Sequence, residues 1–539
     1  MKNQLKGKLI VLLCLTCLIG GLNAQVWSKS FSAGGYDINN NFLGGSEVLQ
    51  LVNHKNQLFA SVGYWEDQNN IWYGGSNMNI GWGQINRLDQ PAGGWNQDLF
   101  LGASYLRPEI LKQLIFTKDQ FGNPLPSADT VLICAGFSPN YLTNTTTVKS
   151  FVRNDINGTW SESQITQGNL VTVENFSIRA IQVYTDQQTG IEYVFASVGT
   201  LGIFKGKYNP AAQGKIDWIN IAEYGPLDVR SLGITITNGS LHFSAGDKLY
   251  RRIDGTNANY VVAHDFSDLN SAINSAVGGI RGLTTLENSN GIQKLLLMWC
   301  PNGQSQGIIY RLEPNGSAGY NRIYETKLSV LIENYLPGAA ANYVLGAYND
   351  FYQFINPINS DTSHIIGFEV MISGGGHPTW NGYYSGGLFA KRNTNAQYSI
   401  EEINGAISGS APALVANRCY VASPFANENA LYFGGFDPNS NSATNMAWVY
   451  KKDFQANAVA NDNNLENTLF VHPNPAKNLL FVEHKNLENQ QFSIINLIGK
   501  QVKIGNLGAT NTAIDISGLP AAIYMFKVGN QAIKFIKAN

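Results

Sequence analysis

The sequence predicts an all-β protein that consists of a seven-bladed β-propeller, closed by an N-terminal strand, and a small C-terminal β-sandwich. Three observations favour this fold class. Short apolar runs recur along the chain in seven sets of three, with turn-forming residues between them. Only 14% of the residues are charged, against about a quarter in typical globular domains. The 55 glycines accompany abundant Asn and Ser, which suits an extracellular protein with many turns.

Each repeat has a middle run that ends in small residues and a following run that usually carries a basic residue near its end. The middle runs are LFASVG (58–63), VLICAG (131–136), YVFASVG (193–199), LHFSAG (241–246), LLLMWC (295–300), IIGFEVM (365–371) and LYFGG (431–435). The following runs are INRLD (85–89), KSFVRND (149–155), GIFKGKY (202–208), LYRRIDG (249–255), GIIYRLE (307–313), GGLFAKR (386–392) and AWVYKKD (447–453). A shorter apolar run precedes each middle run, so every repeat supplies three strands of a predicted blade.

A fourth, more polar run closes six of the seven repeats, as in TWSESQI (159–165) and QYSIEEI (397–403). Its alternation is typical of an outer strand with one face in water. The seventh repeat ends at Lys452 without such a run, whereas Gln25–Phe31 is available at the other end of the chain. We therefore expect Gln25–Phe31 to be the outer strand of the last blade, which removes two sheet edges. A pair of β-sandwiches or a β-helix is the alternative, although a β-helix shows shorter and more uniform repeats.

The N-terminus has the pattern of a targeting segment. Three lysines precede the apolar run Leu9–Ile19, which is shorter than the roughly 20 residues that cross a bilayer, so we expect no membrane span. Small residues then predict cleavage after Ala24, and a membrane anchor is the alternative. The expected layout is a signal peptide at 1–24, the propeller at 25–453, a polar linker at 454–468 and a C-terminal module at 469–539.

Composition and motifs exclude several function classes. The net charge of -2 gives no field that attracts nucleic acid, so we expect no nucleic-acid partner. Cys134, Cys300 and Cys419 lie in apolar runs and are odd in number, which predicts buried thiols rather than a disulfide framework. The seven histidines lack metal-ligand spacing, and no phosphate loop or nucleophile elbow is present. We therefore expect no cofactor or metal, and no catalytic residue can be named.

The C-terminal segment carries a series of short motifs in a fixed order. They are His472-Pro473-Asn474-Pro475, the run Ile494–Leu497 that leads to Gly499-Lys500, Ile514–Leu519, and Ala522–Val528 with Tyr524 at its centre. In this order they resemble the C-terminal sorting domain of the Por, or type IX, secretion system. His472 stands where that family has Tyr, and Ala522 where it has Gly. An ordinary β-sandwich binding module is the alternative interpretation.

The resemblance implies a protein that interacts with the type IX secretion machinery and is exported across an outer membrane. It also implies that the module is removed, and that the mature protein is attached to the cell surface or released. The residues make physical sense as well, because Asn474 between two prolines favours a rigid turn before the first strand.

One candidate site comes from aligning the seven repeats at the start of their first runs. Arginine precedes this run in four repeats, at Arg179, Arg230, Arg281 and Arg418, whereas Glu47 and Asp350 take the position in two others. The second repeat aligns at either Leu111 or Arg107. In a propeller these positions meet near one mouth of the central channel. We expect them to bind a carboxylate or sulfate, such as that of an acidic glycan, through forked Arg contacts. The alternative is that each arginine only packs one blade on the next.

A second candidate is the glycine-rich loop Gly374–Tyr384. His377 has the chemistry of an acid or base, and Trp380 with the two tyrosines that follow could stack on sugar rings. The alternative is a hairpin whose aromatic side chains pack on the next blade.

Two functions remain open from the sequence. One is a secreted or cell-surface propeller that binds a glycan or a protein. The other is a polysaccharide-degrading enzyme, a lyase or glycoside hydrolase, on the same scaffold. A funnel holding a His, Tyr or acid pair beside arginines would favour the enzyme.

Overall fold

The computed structural model describes most of the chain between Trp27 and Ala538. The described residues are 27–64, 83–102, 105, 107–140, 142–169, 173–275, 277–287, 290–302, 305–316, 319–403, 414–436, 445–454, 469–484, 487–496, 500–508, 511–529 and 531–538. The predicted signal peptide and all but the first residue of the predicted linker lie outside them. Two compact units make up the chain, a large unit Met1–Phe454 and a small unit Gln455–Asn539. Across the described residues, no helix is both long enough and apolar enough to cross a membrane.

The large unit begins with strand β1 (Trp27–Ser32) and a short hairpin of β2 (Gly35–Tyr36) and β3 (Phe42–Leu43). Five antiparallel four-stranded groups follow, which we number sheets 1 to 5. Sheet 1 contains β4 (Glu47–His54), β5 (Gln57–Gly63), β6 (Gln84–Leu88) and β7 (Asn96–Phe100), and sheet 2 contains β8 (Ile110–Lys118), β9 (Pro124–Asn140), β10 (Thr145–Arg153) and β11 (Trp160–Asn169). Sheet 3 contains β12 (Ile178–Thr185), β13 (Glu192–Val198), β14 (Gly202–Tyr208) and β15 (Ile216–Tyr224), and sheet 4 contains β16 (Ser231–Thr237), β17 (Ser240–Ala245), β18 (Lys248–Ile253) and β19 (Asn259–Asp265). Sheet 5 contains β20 (Gly279–Leu286), β21 (Lys294–Cys300), β22 (Ile308–Pro314) and β23 (Tyr320–Lys327). Short 3-10 helices lie at Val173–Phe176 and Ser267–Leu269.

The sixth sheet contains an insertion that the sequence did not predict. Its elements are α1 (Leu328–Tyr335), β24 (Ala339–Gly346), β25 (Tyr352–Ile355), β26 (Thr362–Gly374), β27 (Thr379–Trp380), β28 (Tyr383–Tyr384), β29 (Leu388–Asn393) and β30 (Tyr398–Glu402). Strand β26 has 13 residues, so its first half pairs with β25 and β29 while its second half pairs with β24 and β28. Helix α1 buries Leu328 and Ile332 in the same apolar cluster as β24. Sheet 6 is therefore a four-stranded sheet of β25, β26, β29 and β30 with an added layer.

Sheet 7 combines the two ends of the large unit. It consists of β31 (Ala416–Ala422), β32 (Ala430–Phe436) and β33 (Trp448–Asp453), followed in space by β1. Strand β1 pairs antiparallel with β33 from Trp27 opposite Lys452 to Ser32 opposite Trp448. This is the position that the missing fourth run predicted for the N-terminal strand. Burial of the aromatic ring of Trp27 against Phe433, 5.0 Å between ring centroids, fixes the strand to the core.

The apolar cores lie between successive sheets. The cluster that joins sheets 2 and 3, for example, contains Phe116, Ile133, Ile181 and Phe204. The three cysteines are free and buried, as their apolar runs predicted, and burial raises the pKa of each thiol. A buried protonated thiol behaves as a small apolar side chain, so these residues serve packing.

The small unit is a separate two-sheet structure. Its strands are β34 (Leu469–His472), β35 (Leu479–His484), β36 (Gln491–Asn496), β37 (Gln501–Asn506), β38 (Asn511–Asp515), β39 (Ala522–Val528) and β40 (Gln531–Lys537). Strands β34, β35 and β38 form one sheet, and β37, β36, β39 and β40 form the other. One apolar core is shared by both sheets, with Leu480 and Ile514 from the first and Ile494 and Phe526 from the second.

Candidate functional site

The four aligned arginines lie where the first strands of their sheets begin. Arg179 is the second residue of β12, Arg230 directly precedes β16, and Arg281 and Arg418 are the third residues of β20 and β31. In β12 and β31 the pairing register shifts at Arg179 and at Arg418, so each is the extra residue of a β-bulge. A bulge releases its residue from the regular ladder, which lets these two side chains leave the sheet at the same end of the strand.

Glu47 connects two of the arginines. One carboxylate oxygen lies 2.6 Å from Nη1 of Arg107, and the other lies 3.0 Å from Nη1 of Arg418. Nε of Arg107 lies 2.5 Å from Glu109, the residue directly before β8. The structure therefore aligns the second repeat through Arg107 and Glu109, whereas Leu111 is a buried core residue. The sequence alignment missed Glu109 because the start of β8 could not be located.

Arg179 and Arg230 complete this group of charges. Nη1 of Arg230 donates to the Ser177 hydroxyl over 2.8 Å. Burial lowers the pKa of Arg179 well below its usual range, and repulsion from Arg230, Arg418 and Arg107 lowers it further, against attraction by Glu109. Burial raises the pKa of Glu109, but the neighbouring arginines outweigh that effect and the net pKa is lowered. These mutual effects place both residues among the same positive charges.

Tyr348 links Arg281 to the group. The guanidinium carbons of Arg281 and Arg418 lie 4.9 and 5.1 Å from the centre of its ring. Nε of Arg281 donates to the Gly346 carbonyl over 2.7 Å, and the Tyr348 hydroxyl donates to Glu369 over 2.6 Å. We call Arg107, Arg179, Arg230, Arg281 and Arg418, with Glu47, Glu109, Glu369 and Tyr348, the arginine cluster. Nothing in the repeat pattern pointed to Tyr348, which precedes the aligned Asp350 by two positions.

Asp350 lies apart from the arginine cluster. The preceding residue, Asn349, contacts sheets 7 and 1, because its side-chain amide donates to the carbonyls of Arg418 and Leu49. The pKa of Asp350 is raised by the surrounding protein, and the charged group that opposes this shift is Lys112 of β8. Yet Asp350 is exposed to solvent. The causes of this shift include none of the arginines, so Asp350 does not neutralise the arginine cluster.

The loop residues His377 and Trp380 have other surroundings. Nε2 of His377 lies 3.2 Å from the Pro337 carbonyl, and the Trp380 ring packs against a cluster of Tyr383, Val415 and Met446. Tyr383 and its neighbour Tyr384 are buried, so their rings are not free to stack on a sugar. This arrangement agrees with the packing alternative for the loop, in which the aromatic side chains rest on the next sheet.

The arginine cluster has more positive charge than its own acids balance. Among the described residues, five arginines face three glutamates, an excess of two positive charges. Nε and Nη2 of Arg418 and Nε of Arg179 are buried without a hydrogen-bond partner among the described residues. Arg107, Arg230, Arg281 and Arg418 are at most 4% exposed, whereas Arg179 is only half-buried. An anion that reaches the group would therefore meet Arg179 first.

The sorting motifs of the small unit have structural roles. Oδ1 of Asn474 accepts from the backbone N–H of Ile536 over 2.9 Å, which ties the Pro-Asn-Pro turn to β40. Tyr524 is buried, stacks on Phe535 and donates to the Pro520 carbonyl over 2.9 Å. The backbone N–H of Lys500 donates to Asn496, and Gly499 lies outside the described residues. Residues 470–538 match the family model described as a secretion system C-terminal sorting domain.

Residues 470–538 are a sorting domain. The protein is therefore secreted and located at the cell surface, and the sorting domain implies an interaction with the secretion machinery.

Beyond the sorting domain, the chain resembles solved structures at low sequence identity. A search of curated proteins finds no match. Among solved structures, an α-L-arabinofuranosidase from Fusarium graminearum is 10% identical, with 79% of this chain and 96% of that chain covered and a TM-score of 0.38. PorZ, a surface component of the type IX secretion system of Porphyromonas gingivalis, is 12% identical, with 92% and 82% covered and a TM-score of 0.28. An α-L-arabinanase from Penicillium chrysogenum is 12% identical, with 64% and 93% covered and a TM-score of 0.34. Such low identities and TM-scores assign no activity to this chain.

Proposed function

We propose that the large unit is a closed seven-bladed β-propeller that binds an anionic ligand at the cell surface through the arginine cluster. The ligand class is a carboxylate or sulfate, such as that of an acidic glycan. The proposal rests on the excess of two positive charges counted among the described residues. It also rests on the buried N–H groups of Arg418 and Arg179 that have no hydrogen-bond partner among those residues. Buried charges are costly unless they are paired, so a bound anion would complete the site.

Contacts between neighbouring sheets support ring closure. The first strands β4, β8, β12, β16 and β20 contact one another in chain order, as do β26, β31 and β4. Sheets 5 and 6 are joined by a hydrogen bond from the Phe351 N–H to the Thr284 hydroxyl, 2.7 Å long. Sheets 7 and 1 are joined by a bridge between Phe436 and Glu47. A ring of seven blades accounts for each of these contacts.

Within the arginine cluster, the residues have different expected roles. Arg179 is the accessible member, so it is the residue we expect to contact the ligand through its fork of N–H donors. Arg418 and Arg107 are already held by Glu47, and Arg281 by the Gly346 carbonyl, so they fix blade packing and supply a positive field. Lys112 and Gln182 are half-buried on adjacent first strands and hydrogen bond to each other over 3.1 Å.

An enzyme remains the second candidate because an acid and a tyrosine do lie beside arginines. Tyr348 and Glu369 are hydrogen bonded, and Arg281 and Arg418 lie over the tyrosine ring. However, burial and the charge of Glu369 raise the pKa of Tyr348 well above its usual value. Tyr348 therefore keeps its proton at neutral pH and is a poor general base, which favours binding over proton abstraction from a polysaccharide.

Binding of polygalacturonate, dextran sulfate and neutral dextran to the full chain tests the proposal by calorimetry. We expect binding of one or both acidic polymers, no binding of dextran, and weaker binding as NaCl rises from about 50 to about 300 mM. The Arg179→Gln variant should bind about tenfold more weakly, the loss expected for one charge-assisted hydrogen bond. Arg322→Gln is the matched control, because that arginine pairs with an exposed Asp268. Equal binding by Arg179→Gln and wild type would reject the proposed site.

A further inference from the structure

A cavity of about 410 Å³ lies at the outer edge of the large unit, apart from the arginine cluster. Its walls are β1, the hairpin β2–β3 and the turn between β6 and β7, so it lies where the N-terminal strand meets sheet 1. This volume is within the range of small-ligand sites, about 300 to 1,000 Å³. No residue of the arginine cluster lines it.

The hairpin wall of this cavity is held in place before any ligand arrives. Oδ1 of Asp37 accepts from the backbone N–H groups of Asn39 and Asn41, 2.9 and 2.8 Å away. Oδ2 accepts from the backbone N–H of Gln97 on β7, 3.1 Å away. These bonds attach the hairpin to the outer strand of sheet 1. A preformed wall lowers the entropy that a ligand must overcome on binding.

The cavity combines an apolar floor with an exposed aromatic ring. Phe31 and Trp95 are nearly buried and meet edge to face, 5.7 Å between centroids. Above them Tyr36 is 65% exposed. A large aromatic side chain that remains in water at the rim of a preformed cavity offers a flat apolar surface to a ligand.

The polar groups of the cavity select the ligand class. The described residues that line it include no Lys, Arg or His, so an anion finds no counter-charge. The carboxylate of Asp37 is saturated by the bonds above, and that of Asp89 faces Arg87 at 2.7 Å, so neither is a free charge for a cation. The polar side chains that remain are hydroxyls and amides, on Ser30, Ser32, Gln90 and Asn96.

From these features we infer that the cavity binds a neutral saccharide. The Tyr36 ring would stack on the apolar face of a sugar, and the hydroxyl and amide groups would meet its hydroxyls. The site is separate from the arginine cluster and does not depend on the anionic ligand proposed there. The protein would thus hold two chemically different sites on one scaffold.

Two variants test the site in the full chain. Tyr36→Ala removes the exposed ring. Gly94→Leu adds a large side chain at a residue that lines the cavity, where a Cβ atom meets no heavy atom within 4 Å and the backbone is unstrained. Tyr324→Ala is the matched control, because Tyr324 is a 58% exposed tyrosine on β23 that does not line the cavity.

The probes are mannohexaose, cellohexaose and β-1,4-galactan oligosaccharides, measured by calorimetry and by the fluorescence of the tryptophans, which include Trp95 in the cavity floor. We expect at least one probe to bind wild type and the Tyr324→Ala control equally. Tyr36→Ala and Gly94→Leu should each weaken that binding about tenfold or more. The inference fails if no probe shows binding at concentrations up to about 10 mM, because a Kd above that value is too weak for a specific site. It also fails if binding survives both variants, or if spermidine or polygalacturonate is the molecule whose binding they abolish.

Discussion

Nη2 of Arg252 on β18 lies 2.8 Å from Oε1 of Glu223 on β15, which joins the third strand of sheet 4 to the fourth strand of sheet 3. The same connection recurs between other neighbouring sheets. It is formed by Arg153 with Asp98, Arg392 with Glu325, and Lys452 with Glu401, at 2.8, 2.7 and 2.8 Å. The basic residue near the end of the third run thus has a structural explanation in these four sheets, because there it binds an acid of the preceding sheet.

Replacing Arg252 should strongly destabilise the large unit. Its fully buried guanidinium contacts Asp186, Glu223 and Asp254, so Arg252→Met removes one cationic partner from each of three carboxylates. We expect a loss of about 3 to 5 kcal/mol in the free energy of unfolding, seen as a lower melting temperature in calorimetry. Arg322→Met, at an ion pair with an exposed acid, should cost less than about 1 kcal/mol. Similar losses in both variants would contradict a special role for the buried pair.

The effect of Arg252→Met should depend on pH. Burial raises the pKa values of Asp186 and Glu223. Hydrogen bonds from Arg252, together with those from Gly255 and Thr189 to Asp186 and from Lys205 to Glu223, outweigh this effect, so both pKa values are lowered. Groups with lowered folded-state pKa values stabilise the fold fully above their unfolded pKa, near 4, and lose that contribution as the pH falls through the folded value. The difference in melting temperature between wild type and Arg252→Met should therefore be largest at neutral pH and narrow below about pH 4. A constant difference from pH 7 to pH 3 would exclude this explanation.

A buried histidine gives a second pH dependence. Burial lowers the pKa of His242 to about 4, and its ring nitrogens lie 3.0 Å from the Ser240 carbonyl and 3.1 Å from the Tyr320 hydroxyl. The pKa of this histidine in the unfolded chain is near 6.5. The neutral ring therefore stabilises the fold fully above pH 6.5, and the free energy of unfolding falls by about 3 kcal/mol as the pH drops to about 4. His242→Gln should flatten the melting temperature over this interval. A wild-type slope in His242→Gln would contradict this explanation.

Arg179 and Arg418 should respond oppositely to substitution when no ligand is present. Arg179 is repelled by three arginines, so Arg179→Gln should leave the melting temperature unchanged or raise it. Arg418 is held by Glu47, so Arg418→Gln leaves that buried carboxylate with one partner fewer and should destabilise by about 2 kcal/mol or more. Calorimetry of the unliganded variants compares the two. A large loss for Arg179→Gln would assign this residue to blade packing.

Export should shorten the chain at both ends. We expect mature protein from the native cell surface to begin near Gln25 and to lack the sorting domain, because the N-terminal pattern predicts cleavage after Ala24 and the sorting-domain family implies removal. Intact-mass measurement of surface protein decides between the forms. A mass that still includes residues 469–539 would contradict removal of the sorting domain.

The strand order could be read from the sequence because it depends on local pattern. Alternation of apolar and polar residues fixes which face of a strand is buried, and turn residues fix where it ends. The pairing of Trp27–Phe31 with the strand that contains Lys452 was predicted by counting the apolar runs. The seventh repeat had no fourth run, and the N-terminal run belonged to no repeat. The insertion of α1 and β24 escaped this reasoning because neither segment has a counterpart among the described residues of the other repeats, so the repeat pattern gives no position for them.

By itself, then, the sequence determined the all-β class, the order of the strands, the burial of the three cysteines and the sorting domain. Each of these depends on residues that are close together in the chain. The tertiary structure alone decided that Glu47 pairs with Arg107 and Arg418, that Tyr348 lies beneath two arginines, and that Asp350 does not join them. These contacts join residues of different sheets that are up to 371 positions apart in the chain. Strand register and β-bulges decide which side chains come into contact, and a change of one residue in either would bring different side chains together.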